Sequence, residues 1–178
     1  HRTGSVIPAG FLLLYWSLHL QGAPAAERAR LATGFTDALA RAAEELGTVV
    51  VTAENLATLL AGGDEVFLGA VERLARVHAV RITYYVRPQH QALESRWRQW
   101  GYLSELAPSA WVREDLRFLD YRETAEIVRR LAPSVHFDVR PFRRDLLEHG
   151  NVVVDFARNV LEVEAEPEEA GIWENPGI

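Results

Sequence analysis

Short runs of β-branched and aromatic residues, each separated from the next by amphipathic segments, constrain this chain most. Val80-Arg81-Ile82-Thr83-Tyr84-Tyr85-Val86 and Val135-His136-Phe137-Asp138-Val139 read as strands. Thr48-Val49-Val50-Val51-Thr52 reads as a third, and its unbroken apolar centre predicts a strand buried on both faces. Before the third run, Gly22-Ala23-Pro24 breaks the chain and a helix is expected over 25–46. Leu31, Phe35, Leu39 and Ala42 share one face of it, and Gly47 supplies the stop. Further helices are expected over 65–78, over 89–100 after Pro88, over 121–131 and over 152–161. Pro108 to Trp111 reads as loop, the tail from Glu162 is acidic, and no internal repeat is visible. Helices alternating with hydrophobic strands predict right-handed β-α-β units: an α/β fold with a parallel β-sheet flanked by helices. The 178 residues fit one domain, 1–178.

Composition narrows the function. With 48% hydrophobic and 25% charged residues the chain can bury a core, which excludes a disordered or collagen-like polypeptide. Cysteine is absent, so no disulfide, thiolate zinc site or thiol nucleophile exists. A net charge of -6 argues against a nonspecific nucleic-acid binder but permits a local basic pocket for one anion. All 19 basic residues are Arg. The longest apolar run, Phe11 to Leu20, is about half a membrane span, and it lacks a basic start and a cleavage site. The expectation is a cytoplasmic chain with no membrane span, cut short at both ends, with no metal-ligand cluster.

In parallel sheets ligands bind at the carboxyl ends of strands, which directs attention to 52–55, 87–95 and 140–144. Arg87 leaves a strand just before a helix begins, and Ser95 lies two turns into that helix. A planar guanidinium fork and a hydroxyl suit a phosphate. The plainer alternative has Arg87 capping its strand and pairing with Glu94. His1-Arg2-Thr3-Gly4-Ser5 has the residues of a backbone nest for phosphate oxygens, or of a frayed terminus.

Together these segments resemble the bacterial sulfotransferase family, P-loop NTPase-like α/β enzymes that use 3'-phosphoadenylyl sulfate (PAPS). The resemblance extends to Val49-Val50-Val51-Thr52-Ala53-Glu54-Asn55, to Val139 through Leu146 and to Val154-Asp155-Phe156. It implies a sulfotransferase fold lacking the first strand, and transfer of a sulfuryl group to a hydroxyl or amine of a small-molecule or carbohydrate acceptor. It implies that Arg2, Thr3, Gly4 and Ser5 bind the 5'-phosphosulfate and that Arg87 and Ser95 hold the 3'-phosphate. Arg2 would also act on the leaving oxygen, Glu54 would be the general base, and His19 would border the acceptor. No metal is required. Val6 stands where the family carries a second hydroxyl, and Pro8 falls where a helix should run, which implies a weak loop and little transfer activity. The alternative is a non-catalytic member that binds a nucleotide or a protein partner, with Trp97, Trp100 and Trp111 as a contact surface or as packing. A P-loop kinase is disfavoured, because a full Gly-rich loop and a magnesium-binding Asp after a strand are missing.

Overall fold

In the computed structural model, which describes residues 22–52 and 56–166, punctuating residues decide where the helices start and stop. Helix α1 (Ala25–Leu46) begins after Pro24 and ends at Gly47, whose φ of 81° admits glycine and whose N–H donates to the Ala43 carbonyl at 2.8 Å. Helices α2 (Leu56–Ala61) and α3 (Glu65–Ala75) follow, then strand β1 (Arg81–Val86) and helix α4 (Gln89–Trp100). Helices α5 (Pro108–Leu116) and α6 (Tyr121–Leu131) lead to strand β2 (His136–Pro141) and helix α7 (Val152–Asn159). The Asp64 and Asp120 carboxylates cap α3 and α6, each accepting a backbone N–H at 2.9 Å, from Phe67 and Glu123.

The two strands form one parallel sheet. The His136 N–H donates to the Val80 carbonyl at 3.0 Å and the Phe142 N–H to the Val86 carbonyl at 2.7 Å, so the offset between the strands stays constant. In this register Tyr85 stands opposite Arg140, and Arg87 opposite Phe142.

The described chain gathers into two compact units, 22–82 with 120–137 and 83–119 with 138–166. In the first, α1 packs on α3, and α6 packs on α2 and α3. Leu59, Leu60, Phe67, Leu68, Val71, Ile82, Val128 and Val135 form its buried core. Small residues, Ala32 and Thr36, occupy the most buried positions of α1, with Leu31 and Phe35 beside them. Asp64, besides capping α3, pairs with Arg28 of α1. In the second unit, Trp97 of α4 meets Trp111 of α5 edge-on, ring centroids 5.1 Å apart, and Arg96 grips the buried Asp115 at 2.6 Å. The Trp97 ring fills the space a Cβ at Gly101 would need. Trp97 and Trp111 are therefore packing residues, whereas Trp100 is 60% exposed.

Four expectations need correction. Thr48–Thr52 pairs with neither β1 nor β2: Val51 packs on the core while Val50 is 46% exposed, so the run is covered on one side only. Pro108 to Trp111 is helical, because a proline in the first helical turn loses no hydrogen bond and the buried Trp111 anchors the helix. Helices α3 and α7 also stop short of the expected 78 and 161. Among the described residues no helix is long and apolar enough to cross a membrane.

Leu68 is 0% exposed at the centre of the first unit's core. Leu68→Ala should cost about 2–5 kcal/mol of unfolding free energy in urea. Val77→Ala, at a side chain 74% exposed, should change it by less than about 0.5 kcal/mol. Equal losses would show that this cluster does not carry the stability of its unit.

Candidate functional site

β1 delivers Arg87 to its carboxyl end, Pro88 turns the chain, and α4 starts at Gln89. β2 delivers Phe142, Arg143, Arg144 and Asp145 to the corresponding end of its own path. Arg87, Gln91, Phe142, Arg143, Arg144 and Asp145 line an open cavity of about 320 Å³, within the range of small-ligand sites, roughly 300–1,000 Å³.

Each arginine in the wall is held differently. The Arg87 guanidinium carbon sits 4.8 Å from the centre of the Phe142 ring, a cation–π stack that covers one face of the fork. Arg143 is taken by Asp145 in a two-point pair, Nε to Oδ1 at 3.0 Å and the terminal nitrogen to Oδ2 at 2.6 Å. That bond holds the Asp145 carboxyl below the usual range for aspartate. Arg144 packs its stem against Gly150, where the backbone has a φ of 68° and a Cβ would lie 3.1 Å from the Arg144 Cγ. Among the described residues neither Arg87 nor Arg144 pairs with a carboxylate. The wall thus presents three guanidinium groups against one carboxylate already engaged, an arrangement suited to an anion.

Two residues before the wall on each strand, Tyr85 and Arg140 converge on a buried acid. Asp155, on α7 and only 2% exposed, accepts from the Tyr85 hydroxyl at 2.6 Å and from Arg140 Nε at 3.0 Å. It also accepts from the Glu148 N–H at 3.2 Å and the Asn159 side-chain amide at 3.1 Å. Burial pushes the Asp155 carboxyl up, but the Tyr85 and Arg140 hydrogen bonds outweigh it and leave the group below its ordinary value. Tyr85 moves the other way, raised far above an ordinary phenol by burial and by the neighbouring carboxylate. The bond to Asp155 raises Arg140 further still.

Of the residues expected from sequence, Arg87 reaches the cavity wall. Ser95 is half-buried one turn beyond Gln91 on α4 and is not part of the lining. Glu94 pairs with Arg98 at 2.6 Å, and among the described residues it forms no ion pair with Arg87. Arg2, Thr3, Gly4, Ser5 and Glu54, with His19, lie outside the described residues. The region 140–144, marked by the strand-end rule, supplies Phe142, Arg143 and Arg144. Gln91 and Tyr85 were missed; helical spacing from Ser95 would have flagged Gln91, whereas Tyr85 needs the strand register. Among the described residues no group of three or more His, Asp or Glu could hold a metal ion.

Because its folded value is lowered, Asp155 stabilises the fold above the ordinary aspartate value of about 3.9, and that contribution fades as pH falls through the folded value. Arg140 keeps 26% side-chain exposure, which moderates the penalty of losing its partner. Asp155→Asn should therefore cost about 2–3 kcal/mol at pH 7. The difference from wild type should shrink below about pH 4, read from urea unfolding midpoints across the acid range. A difference independent of pH would show that the ionised form of Asp155 is not what stabilises the fold.

Comparison with known protein families, with curated proteins and with solved structures returned no match for this chain.

Proposed function

We propose that this chain is a sulfotransferase-like protein whose cavity at the carboxyl end of β1 holds the 3'-phosphate of PAPS. The observation that carries the reading is Arg87: a guanidinium at a strand-to-helix junction, stacked on Phe142, without a carboxylate partner among the described residues. Arg143 and Arg144 add positive charge to the same wall, and its volume suits a nucleotide phosphate with part of its ribose. Ser95, one turn past Gln91, is assigned a lesser share of the same phosphate.

When bound, PAPS supplies an activated sulfuryl group, whose sulfur–oxygen bond to phosphate breaks as a bond to the acceptor oxygen or nitrogen forms. The chain's residues would divide the remaining work. Arg87 orients the nucleotide by its 3'-phosphate, Arg2 with Thr3, Gly4 and Ser5 neutralises the 5'-phosphate, and Glu54 takes the acceptor's proton. A hydroxyl or amine on a small molecule or carbohydrate is the acceptor class.

One observation favours the second reading, a non-catalytic nucleotide-binding module. The sole carboxylate in the described wall, Asp145, is committed to Arg143, which leaves no base there. Turnover therefore rests on Glu54, while binding does not.

Calorimetric titration with adenosine 3',5'-bisphosphate and adenosine 5'-monophosphate tests the shared premise. Charge-assisted bonds to phosphate contribute about 1.5–3 kcal/mol each. After desolvation, the bisphosphate should bind about 10- to 100-fold tighter than the monophosphate. Arg87→Ala should abolish most of that preference and hardly change affinity for the monophosphate. Equal affinities in the unaltered protein would sink the 3'-phosphate assignment. A sustained preference without sulfuryl transfer to any sugar, phenol or amine acceptor would select the non-catalytic reading.

A further inference from the structure

We infer that Asp155 is a positioning residue for the arginine-lined cavity, setting its shape through Tyr85, Arg140 and the backbone of Glu148. The inference rests on the anion-binding reading of that cavity and names what preorganises it.

Side chains two apart on a strand share a face, so Tyr85 lies on the side of Arg87, and Arg140 on the side of Phe142. With Tyr85 opposite Arg140 and Arg87 opposite Phe142, the cross-strand pair gripped by Asp155 is the rung next to the pair that stacks in the wall. One carboxylate oxygen, Oδ2, receives both Tyr85 and Arg140, at 2.6 and 3.0 Å. The other receives the second Arg140 nitrogen at 3.3 Å and the Glu148 N–H at 3.2 Å. Glu148 ends the segment that begins at Phe142, so Asp155 fixes this segment at both ends, through Arg140 before it and through an amide after it.

Such an arrangement is a poor route to stability. Well-packed apolar residues of similar volume commonly match or exceed a buried ion pair. What an Asp–Tyr–Arg cluster adds is direction: five donors converge on two oxygens, and each bond limits the angle of its partner. The cavity is open and its arginines are long, so a fixed neighbouring rung is what would hold Arg87 and Phe142 in register for an anion.

Two variants test this, with adenosine 3',5'-bisphosphate as the probe. Asp155→Asn keeps the shape and removes the charge; Tyr85→Phe keeps the ring and removes one donor, leaving the Arg140–Asp155 pair to hold the fold. Affinity is measured by calorimetry only under conditions where urea curves show each variant folded. The expected losses are about 10-fold for Asp155→Asn and about 3-fold for Tyr85→Phe. A purely structural Asp155 would lower the unfolding midpoint and leave the affinity of the folded protein within about 2-fold, which overturns the inference. Should Asp155→Asn not fold, Tyr85→Phe decides by the same criterion. Amide hydrogen exchange separates this idea from the ligand assignment. Both variants should speed exchange at Phe142 and across 146–148 while leaving α1, α3 and α6 protected. If wild type binds no bisphosphate, the ligand reading fails, and unchanged exchange in that segment would overturn the positioning role as well.

Discussion

The register between β1 and β2 is the constraint on which the rest depends. Two parallel strands cannot stand in water unaided, and here each strand is divided between two different environments. Toward their starts, Ile82, Val135 and Phe137 join an apolar cluster supplied by α1, α2, α3 and α6. Toward their ends, the same ladder carries Tyr85 with Arg140 and then Arg87 with Phe142. A slip of one residue would turn each of these side chains to the opposite face and dissolve both arrangements together.

Buried carboxylates secure β2 on both flanks. Glu72, on α3 and 7% exposed, accepts the Ser134 N–H at 2.9 Å and the Ser134 hydroxyl at 2.8 Å, two residues before the strand begins. The backbone bond from Ser134 is the main reason its carboxyl sits below the ordinary glutamate value, against the opposing pull of burial. Asp155 does the matching task after the strand, accepting the Glu148 N–H at 3.2 Å. In each unit a helix side chain satisfies a loop amide that the ladder cannot reach, the accounting that buried backbone requires. The difference lies in what else each acid holds. Among the described residues Glu72 adds Arg76, the residue that caps its own helix, whereas Asp155 reaches both strands.

How much of this was legible in the sequence follows from the range of each interaction. Helices α1, α4 and α6 run over the residues expected because Pro24, Gly47, Pro88 and Asp120 mark their ends locally. α5 reads as loop in the sequence because a proline signals a break and a first helical turn equally well. Thr48–Thr52 has the composition of a buried strand, but composition does not provide a neighbour to pair with. At the site, Arg87 and the 140–144 segment were legible because the strand-end rule depends only on where strands stop. Tyr85 was not, since its partner Asp155 lies 70 residues away and appears beside it only once the register is known.

The exclusive use of arginine gives the cavity its chemical character. The chain carries a net charge of -6, so no general positive field draws anions to it, and attraction has to be local. A lysine ammonium is a hydrated point charge that neither stacks on a ring nor grips a carboxylate at two points. The guanidinium does both here: Arg87 sits over the Phe142 ring, Arg143 is paired at two points by Asp145, and Arg140 is paired at two points by Asp155. Stacking and pairing restrict these long side chains before any ligand arrives, which reduces the entropy lost on binding. Arg87 and Arg143 are thus aimed as well as charged, and the aim comes from an aromatic ring and an acid that never need to touch the ligand. In a protein of net charge -6, that local order is what the proposed anion site relies on.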